Sequence, residues 1–423
     1  MDRRQFLEQS AFSVSALWVA ARAFPQGRSP NEKLNIGIIG VGNRGASNIE
    51  GVRSENIVAL CDVDDRMLAA AAAQFPQAKT YHDFRRMLEQ KDIDAVVIST
   101  PDHTHAVATL AALDSGRHVY CEKPLTHTVV EARRVMEMAR KKRCVTQLGT
   151  QIHAGSNYRR VVELIQTGVI GEVTEIHVWV GRVWSADGPP AETPPVPEYL
   201  HWDLWLGPAA ERPYSPAYFG MNWRCYWDFG GGTLADMACH HMDLSHWALN
   251  LKYPSVIEAE GPPVNPYCAP RWLIVRYTYQ RGPNRAPVRL TWYTGEKRPP
   301  HFAEGILPPW GDGTLFVGTK GMLLADYNRY RLLPEKDFEG FQPPPPFLAE
   351  SIGHYAEWID ACKRGGLPTC HFGYGGALTQ TVLLGNVAYR SGQKIEWDGE
   401  RGRITNTREA NVFLHKTYRK GWR

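Results

Sequence analysis

Several features that mark other classes of protein are missing from this chain of 423 residues. The formal net charge is only +4 and no run of Lys or Arg follows one face, which argues against a nucleic-acid partner. The N-terminal apolar stretch is shorter than the ~20 residues that a membrane-spanning helix needs, so no stable membrane anchor is expected. The eight cysteines contain no C-x-x-C pair, and we predict buried thiols rather than disulfides. No internal repeat is evident.

What is present begins with a segment typical of export. Arg3 and Arg4 precede an apolar stretch over residues 10–21 and an A-x-A cleavage sequence over residues 21–23. The paired arginines, followed by Phe-Leu, indicate a twin-arginine signal, the route for proteins already folded with cofactor inside. An ordinary signal peptide is the alternative. We assign residues 1–30 to a signal peptide and linker, and we expect a periplasmic protein that folds in the reducing cytoplasm without disulfides.

Length and composition predict a soluble globular protein with two domains. Hydrophobic residues make up 43% of the chain and charged residues 22%, both close to average usage. The length exceeds that of one ordinary hydrophobic core. Because the residue pattern changes near residue 150, we divide the chain into a first domain over 31–150 and a second over 151–423.

A glycine-rich turn follows the first predicted strand. Residues 34–39 form an apolar run without polar alternation, as expected of a parallel strand buried on both faces. The run leads into a G-x-G-x-x-G motif at Gly40, Gly42 and Gly45, with Asn43 and Arg44 inside it. Such glycines permit a tight turn, the approach of a pyrophosphate and close packing of the next helix. Alone this motif is a weak signal, and its context decides its meaning.

An acidic residue ends the second predicted strand. Residues 57–61 are apolar and Asp62 follows them, about 20 residues after the glycines, where an acid hydrogen-bonds the 2′-hydroxyl of a ribose. A carboxylate there repels a 2′-phosphate, so the sequence favours NAD over NADP. The alternative is that Asp62 and Asp64 only cap the helix that begins near Asp65.

Alternating elements continue with helices over residues 66–74 and 83–89 and a strand over residues 95–99, which predicts a parallel sheet. The strand is followed by Thr100, Pro101, His103 and His105, at the edge where ligands bind. The two histidines are two positions apart and do not share a helical face, so we assign this segment to cofactor contact without a metal. Bracing of the next helix is the alternative for either histidine.

A lysine follows the next predicted strand, over residues 118–121, in the sequence Glu122-Lys123-Pro124. Pro124 fixes its own φ and biases Lys123 toward extended backbone, which aims the ammonium group. Beside a nicotinamide, such a lysine can polarise a carbonyl or pass a proton. A surface ion pair between Lys123 and Glu122 is the alternative.

In this order and spacing, the G-x-G-x-x-G motif, Asp62, the T-P-x-x-x-H segment over residues 100–105 and Glu122-Lys123-Pro124 resemble the glucose-fructose oxidoreductase, inositol dehydrogenase and MocA family (Gfo/Idh/MocA). The resemblance covers nearly all of residues 31–400. It implies an α/β Rossmann domain that binds NAD through these segments, Glu122 and Lys123 included. It also implies an α+β second domain with a large, mostly antiparallel, open-faced sheet that binds substrate and forms homo-oligomers.

The second domain carries strand-like runs, over residues 272–279, 288–293 and 313–318. Residues 173–180 alternate like a strand with one solvated face. Helices are predicted near residues 350–363 and 376–391. The pattern favours a mostly antiparallel sheet, with the last helices completing this domain or packing back on the first.

One segment of the second domain combines three glycines with several polar residues. Residues 230–232 are glycines, and in a helix that begins near Thr233, Asp236 and His240 lie one turn apart on one face. The resemblance places both beside Lys123 and the nicotinamide. We expect His240 to be the acid or base, Lys123 its electrostatic and proton-relay partner, and Asp236 an orienting group or a substrate hydrogen-bond acceptor. Whether His240 or Lys123 takes the proton stays open, and a structural helix with satisfied polar groups is the alternative.

Aromatic residues are dense just before this segment. Trp223, Arg224 and Trp227 are candidates for contact with a carbohydrate, because aromatic faces pack on sugar C–H groups while polar neighbours bind hydroxyls. Ordinary core packing is the alternative for each aromatic.

These features predict an NAD-dependent oxidoreductase that acts on a secondary hydroxyl of a sugar, glycoside or cyclitol. Free NAD is expected to be scarce outside the cytoplasm, so a tightly held, recycled cofactor is predicted. The first alternative is an NAD-dependent glycosidase, in which transient oxidation acidifies a neighbouring C–H and the glycosidic bond is lost by elimination. The second is a non-catalytic NAD or sugar sensor, since fold alone does not determine function.

Overall fold

A computed structural model describes residues 32–282 and 285–422. The predicted export signal of residues 1–30, with Arg3 and Arg4, lies outside the described residues. Among the helices that are described, none is both long and apolar enough to cross a membrane. All eight cysteines are free, and seven of them are buried.

The N-terminal part of the chain, residues 35–148, forms a six-stranded parallel sheet in the order β3-β2-β1-β4-β5-β6. Its strands are β1 (Asn35–Ile39), β2 (Asn56–Cys61), β3 (Lys79–Tyr81), β4 (Ala95–Ile98), β5 (His118–Cys121) and β6 (Thr146–Leu148). The connecting helices are α1 (Arg44–Val52), α2 (Asp65–Gln74), α3 (Phe84–Met87), α4 (Asp102–Asp114) and α5 (Val129–Lys142). The order reverses between β1 and β4, which opens a crevice at the carboxyl ends of the strands. The predicted doubly wound sheet is confirmed, although the helix expected over residues 83–89 is only the single turn α3.

The following part of the chain, residues 173–404, forms a nine-stranded sheet in the order β13-β12-β11-β7-β10-β9-β8-β14-β15. Only β7 and β10 pair in parallel among the pairings described, so the predicted mostly antiparallel sheet is confirmed. Its strands are β7 (Val173–Val180), β8 (Val256–Glu260), β9 (Leu273–Tyr279), β10 (Val288–Thr294), β11 (Asp312–Gly318), β12 (Gly321–Ala325), β13 (Tyr330–Leu333), β14 (Ile395–Asp398) and β15 (Arg403–Ile404). The remaining helices are α6 (Ser156–Gln166), α7 (Trp202–Leu206), α8 (Gly232–Ala248), α9 (His354–Arg364) and α10 (Phe372–Ser391).

Strand β7 differs from the expectation of one solvated face. Its second half is buried on both faces, because Trp310 and Leu307 pack over Trp179 on the side away from the main core. The indole Nε1 of Trp179 donates to the carbonyl of Trp310 at 3.1 Å. His177 on the same strand is also buried, with its Nδ1 3.0 Å from the hydroxyl of Tyr293. The chain after β10 therefore covers part of the sheet face that the alternation of polar and apolar residues in β7 predicted to be exposed to solvent.

The C-terminal part of the chain returns to the first sheet. Trp358 of α9 is fully buried in the cluster that contains Leu34 and Ile36 of the first half. Further along, the hydroxyl of Tyr418 donates to Glu131 of α5 at 2.6 Å. The two sheets are thus held together by packing and hydrogen bonds as well as by the chain that joins them.

Candidate active site

The glycine motif forms the turn between β1 and α1. Gly40 has φ 83°, and a Cβ on Gly45 would lie 2.0 Å from the carbonyl oxygen of Gly40, so both positions require glycine. Asn43 at the start of α1 makes no capping hydrogen bond with its side chain, and the first turn of the helix carries no acid. The positive end of the α1 dipole is therefore left for an external anion, which fits the pyrophosphate of a dinucleotide.

Asp62 and Asp64 have separate roles at the end of β2. Asp64 caps α2, accepting a hydrogen bond from the amide of Arg66 at 3.0 Å. Asp62 instead accepts from the amide of Val41 in the glycine turn at 2.9 Å, and from the amide of Asp64 at 3.0 Å. The capping alternative therefore applies to Asp64, whereas Asp62 is bonded to the glycine turn and does not cap the helix.

The segment after β4 divides into two environments. His105 has Nδ1 2.8 Å from the carbonyl of Pro124 and Nε2 2.7 Å from the carbonyl of Thr100, so it ties the ends of β4 and β5 together. His103 instead packs in an aromatic cluster, with Nε2 2.9 Å from the carbonyl of Trp205. Burial lowers the pKa of both imidazoles, that of His103 to about 3. Pro101 is the residue that precedes α4.

Glu122 and Lys123 do not pair with each other. Glu122 accepts hydrogen bonds from Arg44 at 3.0 Å, Asn48 at 3.0 Å and Gln151 at 2.9 Å. This network ties the end of β5 to α1, the helix of the glycine motif. Lys123 therefore does not form the surface ion pair with Glu122 that was the alternative; it forms a buried ion pair with Asp236 instead.

That buried ion pair joins Lys123 to Asp236 of α8. The Lys123 ammonium donates to Asp236 Oδ1 at 2.6 Å and to its carbonyl oxygen at 2.7 Å, and the side chains are only 11% and 5% exposed. Arg224 Nε also donates to Oδ1, at 2.9 Å, and Trp184 Nε1 donates to Oδ2 at 2.6 Å. Burial alone would raise the pKa of Asp236, but the charges of Lys123 and Arg224 outweigh it and hold that pKa well below its usual range. Asp236 is therefore an ionised orienting group with both oxygens occupied.

The glycines before α8 explain how Asp236 comes so close. Gly232 has φ 64°, and a Cβ there would lie 2.4 Å from the Cβ of Ala269. The hydroxyl of Thr233 accepts the amide of Trp184 at 2.7 Å, which docks the irregular segment after β7 on the first turn of the helix. The predicted helix start is thus fixed by close packing that only glycine allows.

His240 lies one turn after Asp236 on α8. Within the part of the chain that the structure describes, its imidazole makes no hydrogen bond, while the hydroxyl of Tyr158 donates to its backbone carbonyl at 3.2 Å. Burial, reinforced by the charge of Lys123, holds the pKa of His240 well below its ordinary value. The ring is therefore neutral at physiological pH and is able to accept a proton. The adjacent His241 is different, since its Nε2 lies 2.9 Å from the hydroxyl of Tyr327.

Asp243 holds the far half of α8. It accepts from the hydroxyl of Tyr374 at 2.6 Å, and His153 Nδ1 lies 3.0 Å from its carboxylate.

The structure describes two groups whose ligand atoms lie within 4.8 Å of one another, as a metal site would need: Asp65, His82 and His201, and the buried set His153, Asp243 and Cys370. Neither group contains the ion-paired lysine or His240.

Two residues of this site were not predicted from the sequence. Asp102 is buried beside the ion pair, and burial raises its pKa to about 7 against the opposing charges of Arg224 and Lys123. Its position in the segment after β4 was a usable signal, because ligand-binding residues concentrate at such strand ends. Trp184 lies in an irregular segment whose sequence gives no signal.

The three candidates from the aromatic region, Trp223, Arg224 and Trp227, lie in two different places. Arg224 reaches Asp236 and stacks on the ring of Trp223 at 4.2 Å, so these two lie at the ion pair. Trp227 lies elsewhere, with its Nε1 donating to the carbonyl of Asn265 at 2.9 Å and the guanidinium of Arg390 over its ring at 4.9 Å.

Comparison with known proteins finds a family match in two regions of the chain. Residues 34–150 match an oxidoreductase family with an NAD-binding Rossmann fold, and residues 157–288 match the C-terminal alpha/beta domain of an oxidoreductase family.

Individual relatives are distant. Inositol 2-dehydrogenase of Salmonella typhimurium is 28% identical over 230 residues, 53% of this chain and 56% of that protein. A glycosyl hydrolase family 109 protein of a Shewanella species is 32% identical over 152 residues, 33% of each chain. This chain thus matches about half the length or less of these relatives. The WlbA dehydrogenase of Bordetella pertussis, solved with NADH and UDP-GlcNAcA, shares the fold with a TM-score of 0.62 at 19% identity, over 87% of this chain and 99% of that one.

Proposed function

The chain belongs to the Gfo/Idh/MocA family of oxidoreductases and carries its NAD-binding Rossmann domain, and from this premise we propose that it oxidises a secondary hydroxyl of a sugar, glycoside or cyclitol. The observation that carries the proposal is the juxtaposition of a buried Lys123–Asp236 ion pair with the neutral, unbonded imidazole of His240. Lys123 follows β5, so the pair lies at the carboxyl edge of the parallel sheet, the edge where dinucleotides bind.

The residues divide the chemistry as follows. His240 removes the hydroxyl proton, because it is neutral and has a free ring nitrogen, whereas both Asp236 oxygens are occupied. The Lys123 ammonium stabilises the negative charge that develops on the substrate oxygen. Asp236 holds Lys123 in place, and Arg224 and Trp184 in turn fix the Asp236 carboxylate. The hydride leaves the same carbon, and accepting it is the chemistry that a bound NAD supplies.

A tightly held cofactor is the second part of the proposal, and a strap over residues 199–201 supports it. Asp65 donates its amide to the carbonyl of Tyr199 at 2.9 Å, and His201 donates its amide to the carbonyl of Val63 at 2.9 Å. These contacts lay the strap against the turn between β2 and α2, beside the acid that recognises a ribose. Because the strap belongs to the part of the chain that follows the six-stranded sheet, release of a bound dinucleotide would be hindered from that side.

The test is to add single sugars, glycosides and cyclitols to the purified holoprotein and to follow both reduced nicotinamide and the products. Formation of reduced nicotinamide together with a keto-sugar, or a keto-sugar at the expense of a second carbonyl compound, is expected. If no substrate in a broad panel is oxidised although NAD is bound, the chain would be a sensor rather than a dehydrogenase.

A glycosidase that uses NAD without net redox change is the second candidate. The match to a glycosyl hydrolase family 109 protein over 152 residues is the observation in its favour. The same experiment separates the two, because a glycosidase releases free sugar from a glycoside without lasting accumulation of reduced nicotinamide.

Location and assembly complete the proposal. The Arg3-Arg4 pair and the apolar stretch after it support export by the twin-arginine route to the periplasm. Changing both arginines to lysine should leave the protein in the cytoplasm, as fractionation would show. Family membership supports a homo-oligomer assembled through the nine-stranded sheet, and light scattering measures its mass.

A further inference from the structure

A cavity of about 300 Å³ lies apart from the site described above. Lys123, Asp236 and His240 are not among its lining residues; its walls come from α10, from the turn before α8 and from the C-terminal tail. The volume is at the lower end of the range for small-molecule sites. The residues that matter to its chemistry are Arg390, Asn386, Asp228 and Lys416.

Arg390 is a cation without a direct ion pair in this cavity. Its guanidinium is held between the rings of Trp227 and Phe413, 4.9 Å from each centroid. To the residues that the structure describes, it makes no hydrogen bond and no ion pair. Burial lowers the pKa of Arg390, which reflects how little water reaches it. A guanidinium has five N–H donors in a planar fork that matches a carboxylate.

The neighbouring charged groups are bonded to other partners, and only the carboxylate of Asp228 attracts Arg390, without direct contact. Asp228, which also lines the cavity, forms its ion pair with Arg212 at 2.8 Å. Lys416 is balanced by Glu131 at 3.2 Å, and its remaining donors reach the carbonyl of His103 at 2.9 Å and the ring of His127 at 3.1 Å. Arg390 is therefore the cation of this cavity whose hydrogen-bond donors have no direct partner among the described residues.

Asn386 adds an unpaired acceptor. Its side chain is 7% exposed, and its Nδ2 donates to the carbonyl of Gly231 at 2.8 Å. Its Oδ1 is buried without a hydrogen-bond partner in the described chain. A buried polar atom of this kind is costly, and in native proteins it usually has a partner such as a water or a ligand.

We propose that this cavity binds a small organic acid that carries hydroxyl groups, of the size of a sugar acid. Its carboxylate pairs with the Arg390 fork and a hydroxyl bonds the Asn386 amide in the cavity wall, while Leu383 and Val387 of α10 contact the carbon chain. An inorganic oxyanion would meet Arg390 but would leave most of the volume and the apolar wall unused. The site does not depend on the proposed dehydrogenase activity.

The test is calorimetric titration of the NAD-loaded full-length mature protein with D-gluconate, with neutral D-glucitol and inorganic phosphate as comparison ligands. We expect one gluconate site per chain, no binding of glucitol, and at least a ~10-fold loss of gluconate affinity in Arg390→Met, which keeps an unbranched side chain beside the two rings but removes the charge-assisted bonds. If Arg390→Met does not fold, Arg390→Lys replaces it in the test. This variant keeps the positive charge but not the planar fork of donors, so it should also bind gluconate more weakly than the parent. Lys123→Met should bind gluconate like the parent.

Three results would overturn the proposal. In the first, gluconate does not bind. In the second, gluconate binds, and its affinity is lowered by Lys123→Met but by neither Arg390 variant. In the third, phosphate is the only ligand that binds. The second result would place the acid in the dehydrogenase site, so this test fails separately from the proposed function.

Discussion

His240 and its neighbour His241 should respond in opposite ways to substitution, although they are adjacent on α8. His240→Asn removes a neutral imidazole that makes no side-chain hydrogen bond within the described chain, so Tm should change by at most a few degrees. The same change removes the proton acceptor, which should lower kcat by about 10²- to 10⁴-fold, or about 3–5 kcal/mol in activation free energy. A substitution that is nearly silent for stability should thus remove most of the activity.

His241→Phe is the matched control. It keeps the ring stacked on Tyr327 but removes the acceptor 2.9 Å from the Tyr327 hydroxyl, at a cost of about 1–3 kcal/mol in stability. Its kcat should stay within a few-fold of the parent. The assay is steady-state oxidation of the best substrate in the sugar panel, with thermal unfolding of both variants. Full activity in His240→Asn, with a large loss in His241→Phe, would refute the assignment of the base.

Three further predictions concern Lys123, Asp102 and Asp62. Burial and the charge of Lys123 lower the pKa of His240, so the pKa read from the acidic limb of the kcat/KM profile should lie below the ordinary histidine value of about 6.5. Lys123→Met should raise that pKa. If it does not move, His240 is not the group that titrates there. Burial raises the pKa of Asp102 to about 7, so the folded protein keeps a proton that the unfolded chain loses above about pH 4, and stability falls as pH rises between the two. Asp102→Asn should therefore raise Tm by several degrees near pH 8 and leave it unchanged near pH 4, in paired thermal melts; an equal gain at both pH values would contradict this. Asp62→Ser should weaken NAD binding by about 10- to 100-fold, as expected for a lost charged hydrogen bond, and should reduce the protein's preference for NAD over NADP. Titration of both cofactors measures the two affinities. An unchanged ratio of these affinities would show that Asp62 does not select NAD.

The fold was largely predictable because its signals are local. Strands β5 and β7 begin and end at the predicted residues, since runs of apolar residues bounded by turns mark buried strands. The exposed face expected for β7 was wrong because residues around Trp310, more than a hundred positions later, cover it. Coverage by a distant loop leaves no trace in the periodicity of the strand itself.

The candidate site shows the same division. The sequence and its family resemblance indicated Lys123, Asp236 and His240 together, and the ion pair between the first two is consistent with that grouping. Trp184 could not be foreseen, because it reaches Asp236 from an irregular segment. Trp227 was grouped with the substrate candidates by its neighbourhood in sequence, yet the turn after Arg224 takes it to Arg390. Proximity along a loop does not determine which side of a helix a side chain reaches.

The central claim, that this chain is an NAD-dependent oxidoreductase with a resident cofactor, is tested most directly by the NAD content of the protein. Protein purified from its host without added cofactor is denatured, the released NAD is counted per chain, and the stripped protein is titrated with NAD. The account predicts close to one NAD per chain. A protein that neither retains NAD nor binds it when added would contradict the account.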